Sequence, residues 1–316
     1  LQEIISQIKK LVTKSVLEHD SDSIALSGGL DSSILASCVK NKKMKSFALI
    51  AKDFPSTDLV HAQLVAKSCD IALDMIPVDV EVLLDAAEKT IQILQVFNPI
   101  EIRNNVVVYL TMKTAKEAGF ASIMTGDGAD ELFAGYNFFK RLSGEELEKD
   151  LKRIWSVMHF PSRSISQSIG MSLHTPFLDD AVSDYVKTIP ADLKVHEENG
   201  TKYGKWILRK AFESDLPESI IWREKSAMQD GSGTSGLTSF LDGMISDKYY
   251  TEQSKHHQEK DLVKILSKES LYYYEIYRKY FDAPHTLGKF EVRCPNCNYS
   301  LKQGSHFCRM CGSYPI

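Results

Sequence analysis

The stretch SIALSGGLDSSILASCVKN, residues 23–41, sets the reading of the whole chain. The apolar run Ser23–Leu26 has strand character and stops at Ser27-Gly28-Gly29. From Ser32 to Asn41 the pattern is helical. The order is therefore strand, glycine turn, helix. The same order recurs at Ser122–Thr125 (SIMT), which ends in the turn Gly126-Asp127-Gly128. Two more strand candidates are Ser46–Ile50 and Asp74–Val78. Helical patterns cover residues 2–19, 57–68, 80–95 and 104–118. Strands alternating with helices at these lengths predict an α/β fold, with a parallel sheet and helices on both faces. Ligands of such sheets sit at the carboxyl ends of the strands, where both glycine turns fall.

Glycines after a strand let backbone N–H groups converge without side-chain obstruction. The following helix adds its positive amino end. Ser27, Ser32 and Ser33 add hydroxyl donors, so Ser27–Ser33 reads as a cradle for phosphate oxygens. It lacks the Gly-Lys-Ser/Thr of a Walker A loop, which argues against γ-phosphate transfer. The competing reading is a tight turn with a helix cap, but a cap needs only one such residue.

Composition narrows the class. A net charge of −4 on 316 residues argues against nucleic-acid binding over the whole surface. No run of 18 apolar residues exists, so no membrane span is expected, and the amphipathic residues 2–19 carry no signal-peptide core. A cytoplasmic location is expected. The leading Leu1 suggests residues missing upstream. From about residue 140 the strand signal fades. Helical patterns follow at 145–159, 162–170, 180–188, 203–213 and 261–281. The Gly/Ser-rich stretch Asp230–Gly236 reads first as a flexible linker, and Thr251–Lys260 as an exposed or mobile tract.

SGGLDSS resembles the PP-loop of the N-type ATP pyrophosphatases, of the adenine nucleotide α-hydrolase-like fold. That resemblance implies cleavage of ATP between its α- and β-phosphates, with AMP transferred to an oxygen. Thr125–Tyr136 (TGDGADELFAGY) resembles the corresponding block of asparagine synthetases. Collinear matches to that family follow at Ile102-Arg103, Tyr109-Leu110, Met171–Asp179, Lys205–Ala211 and Trp222–Gly233. The resemblance spans about residues 20 to 245 and implies the synthetase half of such an enzyme.

It implies roles residue by residue. Asp31 and Asp130 stand at the family's Mg²⁺ positions, and carboxylates suit Mg²⁺, which prefers oxygen ligands. Lys225 matches the catalytic lysine. Arg103 and Lys205 are further cations for the departing pyrophosphate, although Arg103 also suits a structural ion pair. Asp127 stands where many asparagine synthetases carry a glutamate that helps deprotonate the attacking ammonia. Aspartate is one methylene shorter, which leaves the acceptor open. The nucleotide-binding set is Ser27, Gly28, Gly29, Asp31, Ser32, Ser33, Leu49, Thr125, Gly126, Lys205, Asp230 and Gly231. In this light the glycine-rich stretch at 230–236 closes over phosphates. Ser172 and His174 stand near positions where the family carries glutamate and arginine, and Asn104, Asn105 and three valines follow Arg103. Aspartate is therefore one candidate carboxylate among several. The phosphate loop starts at Ser27, which leaves no room for the family's amino-terminal glutaminase. Free ammonia, an amine or a separate glutaminase would supply nitrogen. Cys38 and Cys69 read as core residues.

At the other end, Cys294-Pro-Asn-Cys297 and Cys308-Arg-Met-Cys311 are separated by ten residues. That spacing predicts a tetrahedral Cys₄ zinc ribbon with a structural role. Residues 285–316 carry Lys289, Arg293, Lys302 and Arg309 against Glu291, with four aromatic residues interleaved. Contact with RNA or protein, or packing on the catalytic part, are the alternatives. The expected organisation is 1–245 for the ATP pyrophosphatase domain, 246–284 for a helical extension and 285–316 for the ribbon. The expected activity is an ATP-dependent amide-forming ligase using ATP, Mg²⁺ and structural Zn²⁺. The alternatives are a PP-loop tRNA-modifying enzyme and a nucleotide-binding protein without turnover.

Overall fold

The computed structural model describes residues 1–39 and 44–316. Lys40 and Asn41, the end of the second expected helix, lie outside the described residues. Packing divides the chain into two units. The first is Leu1–Ile50, Thr57–Ile76 and Thr111–Ala227. The second is Ala51–Ser56, Pro77–Leu110 and Met228–Ile316. The proposed boundaries at 245 and 285 both fall inside the second unit.

The sheet has five strands: β1 (Ser23–Ala25), β2 (Lys45–Ala51), β3 (Ala72–Val78), β4 (Ser122–Met124) and β5 (Ser172–His174). Their spatial order is β3-β2-β1-β4-β5. The β1–β2, β1–β4 and β4–β5 pairs are parallel. Pro77 lies in β3, an edge strand, where a missing N–H costs least. Helices α1 (Gln2–Glu18), α2 (Leu30–Val39) and α3 (Asp58–Ser68) intersperse the early strands, followed by α4 (Val80–Leu94) and α5 (Pro99–Glu117). After β4 come α6 (Ala129–Leu132), α7 (Gly144–Val157) and α8 (Pro161–Ile169), then α9 (Asp180–Thr188) and α10 (Ala191–Lys194) past β5. A hairpin of β6 (Val195–Glu198) and β7 (Thr201–Gly204) precedes α11 (Trp206–Phe212) and α12 (Glu218–Ile221). Ile8, Val12 and Val16 of α1, Ile24 of β1, Ile34 and Leu35 of α2, and Ile207 and Leu208 of α11 share one core.

The second unit holds α4, the first part of α5, α13 (Met228–Ser232), α14 (Gly236–Met244), α15 (Asp247–Asp261), α16 (Lys268–Tyr280) and the two-stranded ribbon of β8 (Val292–Arg293) and β9 (Ser300–Leu301). Phe97 meets Tyr274 and Tyr277 of α16 with ring centroids 4.8 and 5.5 Å apart. The Phe97 amide donates to the Met310 carbonyl at 2.9 Å, and Arg309 pairs with Glu101. The ribbon is thus fastened to the turn between α4 and α5.

Several expectations are corrected. The helix expected from 203 starts at Trp206, because Thr201–Gly204 pairs back onto Val195–Glu198. Asn199 and Gly200 have φ of 52° and 78°, the two left-handed residues that a tight hairpin turn requires. The helix expected from 104 begins at Pro99 instead. The polar tract 251–260 is largely exposed, as expected, but it is helical, lying within α15, where Asp261 alone is buried. The stretch 230–236 is not a flexible linker: Gly231 and Ser232 are buried in α13, and Gly236 starts α14.

Gly28 shows how tightly the first turn is packed. Its φ is +72°, and a Cβ there would lie 2.4 Å from the Ala62 amide nitrogen of α3. Gly28→Ala is therefore expected to cost about 2–4 kcal/mol, combining left-handed strain with overpacking. Denaturant unfolding measures it, and an unchanged midpoint would contradict this packing.

Candidate active site

The Ser27–Ser33 loop, Asp127, Asp130, Lys205 and Lys225 all lie in the first unit. The turns after β1 and β4 are neighbours because those strands pair, Ile24 against Met124. A Cβ on Gly126 would lie 2.8 Å from Cβ of Asp31, so glycine is what lets the second turn approach the first. The first turn is held by its own hydroxyls. Ser33 Oγ donates to the Gly29 carbonyl at 2.7 Å, and Ser27 and Ser32 Oγ lie 3.2 Å apart. The Gly29 N–H reaches Ser27 Oγ at 3.2 Å. This is a preformed polar loop at the amino end of α2. Leu49 lies buried in β2.

Asp31 and Asp130 converge on one cation. Lys205 Nζ donates to Asp31 Oδ1 and Oδ2 at 2.7 and 2.6 Å and pairs with Asp130 Oδ1 at 2.6 Å. Lys225 Nζ pairs with Asp130 Oδ2 and lies 5.5 Å from the Tyr136 ring centroid. Lys205 reaches its place from a left-handed backbone, φ 56°, whose N–H donates to the Phe133 carbonyl. Gly135 leaves the room: a Cβ there would lie 1.9 Å from Asp130 Oδ1 and 2.1 Å from Lys205 Cε. Burial alone would raise the Asp130 carboxyl, but Lys205 and Lys225 outweigh it and hold the group well below the usual carboxylate range. Burial likewise opposes the charge on Lys205, and Asp130 and Asp31 override it. Two carboxylates already share a cation, so the donor set suits Mg²⁺.

Asp127 has the opposite environment. Burial pushes its carboxyl up, and the hydrogen bond from Ser162, with Thr125 nearby, offsets that only in part. Ser162 Oγ donates to Asp127 Oδ2. Burial also raises Glu131, whose Oε1 accepts from Tyr136 Oη at 2.5 Å. His174 of β5 meets His19 at 2.9 Å between Nδ1 atoms, and His19 in turn bonds Asp179. Burial pushes the Cys38 thiol up to about 11, which suits a core residue. No role for Ser162, Tyr136, Asp58 or Arg223 is legible in the sequence. Only Tyr136 and Arg223 lie inside the quoted motifs, and nothing in the pattern pairs Ser162 with Asp127.

Arg103, Asp230 and Gly231 belong to the second unit. Arg103 is buried, with Nε on Gln229 Oε1 at 2.8 Å and Nη1 on Thr238 Oγ1 at 2.8 Å and Glu269 Oε2 at 2.5 Å. Its carbonyl accepts from Thr234 Oγ1 at 3.1 Å, so it organises the whole 229–238 stretch. The Gly231 carbonyl accepts from Ser56 Oγ at 2.7 Å. In the same unit Cys294, Cys297, Cys308 and Cys311 are buried, with one ligand atom from each within 4.8 Å of the others. Sγ–Sγ distances are 3.7 Å for Cys294–Cys311 and 3.6 Å for Cys297–Cys308. A disulfide would need about 2.05 Å. Four thiolates around a tetrahedral zinc at about 2.3 Å would stand about 3.8 Å apart, which these sulfurs fit.

The family model described as asparagine synthase matches residues 7–164 and 144–295. The chain belongs to the asparagine synthase family. It is 29% identical over 307 residues to asparagine synthetase [glutamine-hydrolyzing] from Gallus gallus, covering 89% of this chain and 53% of that protein. It is 28% identical over 318 residues to the probable asparagine synthetase [glutamine-hydrolyzing] from Dictyostelium discoideum, covering 89% and 56%. The chain thus spans about half the length of the curated relatives it matches. Among solved structures it is similar to an NMN synthetase from Francisella tularensis, with 14% identity, 89% and 95% coverage and a TM-score of 0.36. Among the described residues, no helix is long and apolar enough to cross a membrane.

The family assignment makes the partly buried Asp127 informative. A carboxyl raised by burial loses stability for the fold as pH rises from the ordinary aspartate value, about 3.9, through its own higher value. Asp127→Asn removes that penalty. Its melting temperature is expected to exceed the wild type's at about pH 8, the gap narrowing toward about pH 4. Equal melting temperatures across this range would contradict the raised carboxyl.

Proposed function

We propose that this chain is an ATP-dependent ligase that adenylates a carboxylate and lets ammonia or an amine displace AMP. The carrying observation is the convergence of Asp31, Asp130, Lys205 and Lys225 beside the Ser27–Ser33 loop, at the carboxyl ends of β1 and β4. Backbone amides and hydroxyls of the loop would hold phosphate oxygens. Asp31 and Asp130 would hold Mg²⁺, which supplies positive charge against the departing pyrophosphate. The substrate carboxylate attacks the α-phosphorus, the α–β phosphoanhydride breaks, and an acyl-adenylate forms. Lys205 and Lys225 stabilise negative charge on the leaving group. Asp127, its carboxyl raised by burial and aimed by Ser162, accepts a proton from the attacking nitrogen. Arg103 is committed to Glu269, Gln229 and Thr238, which supports a structural role for it. Aspartate is the first carboxylate to test, since two relatives are named asparagine synthetases.

The ribbon is proposed to hold structural zinc in its four thiolates. Arg309 is ion-paired with Glu101, and the Phe97 amide donates to the Met310 carbonyl, so this part of the ribbon is committed to the turn between α4 and α5. This favours packing over RNA binding.

Incubation with Mg-ATP and ammonia, with aspartate, other carboxylates or total tRNA, is expected to release AMP and pyrophosphate with a small carboxylate. AMP with tRNA alone would instead support the tRNA-modifying alternative. Lys225→Met is expected to lower kcat by about 10²-fold or more, and Asp31→Asn to abolish AMP formation. Full turnover by either variant would overturn these assignments. For the ribbon, elemental analysis is expected to find one zinc per chain and its loss in Cys308→Ser. Zinc retained by that variant would refute a Cys₄ site.

A further inference from the structure

Lys225 sits on a segment with no regular structure: residues 223–227 lie between α12 and α13 and join no helix or strand. A lysine ammonium on four single bonds is only as well placed as the backbone that carries it. The preceding Trp222 has its own anchors, with Nε1 on Glu213 Oε1 at 3.2 Å and its ring against Tyr203 at 4.9 Å between centroids. What fixes the segment beyond Trp222 is Arg223. Its Nη1 donates to the Gly28 carbonyl at 3.3 Å, and its Nη2 to Thr57 Oγ1 and Asp58 Oδ1 at 3.2 Å each. Its own carbonyl accepts from Arg209 Nη1 at 3.1 Å.

We propose that Arg223, held by Asp58, is a positioning residue that sets Lys225 in register with the phosphate loop; this rests on the adenylation reading. One planar guanidinium reaches the backbone of the loop that would bind phosphate and the amino end of α3. The packing of Gly28 against Ala62 locks those two segments together. The Arg223 and Asp58 side chains are 15% and 11% exposed. Burial pushes the Asp58 carboxyl up and Arg223 opposes it, so the pair adds little net stability and its main product is geometry. A fork spanning three acceptors is what arginine provides and lysine does not.

Arg223→Lys keeps the charge and loses the fork. It is expected to slow AMP formation by about 10–100-fold, with KM for ATP changing less than about threefold. Combined with Lys225→Met it should be no slower than Lys225→Met alone, since both changes disable one group. Hydrogen exchange should quicken at the amides of 223–227 and nowhere else. Asp58→Asn should give the same pattern, weaker. Wild-type rates in Arg223→Lys, multiplicative losses in the double variant, or faster exchange throughout the first unit would overturn the proposal. Should the wild type form no AMP with any acceptor, the function reading fails. The exchange measurement then decides the brace by itself: faster exchange confined to 223–227 upholds it, and unchanged exchange there overturns it.

Discussion

The ammonium of Lys205, held between Asp31 and Asp130, is the interaction on which the first unit's site depends. Two partly buried carboxylates side by side repel each other and lose part of their hydration. Lys205 and Lys225 bring the local charge to balance and keep Asp130 ionised. The arrangement makes steric demands that reach well beyond the four charges. Gly126 must lack a side chain so that the second turn can meet Asp31, and Gly135 must lack one so that Asp130 and Lys205 can meet. Lys205 must adopt a left-handed backbone, which few residues other than glycine and asparagine do readily. Gly126 and Gly135 of the TGDGADELFAGY block are spacing devices for charge, whereas Gly128 makes room for Leu178.

Two aspartates three residues apart thereby acquire opposite character. Asp130 faces two lysines and stays charged, while Asp127 faces Ser162 within a buried setting and is driven toward its neutral form. Opposed environments of this kind keep one carboxyl ionised and raise the other, although the two are neighbours in the chain.

The second unit is built on different physics. Its ribbon is too small to bury a core and is organised by four cysteines whose spacing fits one zinc. Around it, aromatic rings of α16 and the buried Asp261, which accepts from Tyr274 and pairs with His257 and Arg278, hold α15 and α16 together. Arg103 is part of this fabric. Its guanidinium, surrounded by Glu269, Gln229 and Thr238, turns a glycine-rich stretch into an ordered turn between two helices.

The parallel sheet, both glycine turns, the ribbon cysteines and the acidic and basic candidates were legible because each follows from local rules. Strand-turn-helix order, glycine after a strand, and CxxC spacing are all carried by neighbours in the chain. The β6–β7 hairpin carried its own local signal in Asn199-Gly200, which the helical pattern after it obscured. α15 was missed because a helix of almost entirely polar residues has no apolar period to read. The partnerships were not legible at all. Lys205 with Asp31, Lys225 with Asp130, Ser162 with Asp127 and Arg223 with Asp58 join residues 35 to 174 positions apart. Sequence determined which charged groups the chain carries and where its glycine turns follow strands. Tertiary structure decided which charges are buried together, and burial is what sets whether a carboxyl stays ionised, whether an arginine faces a ligand or a glutamate, and where a flexible lysine ends.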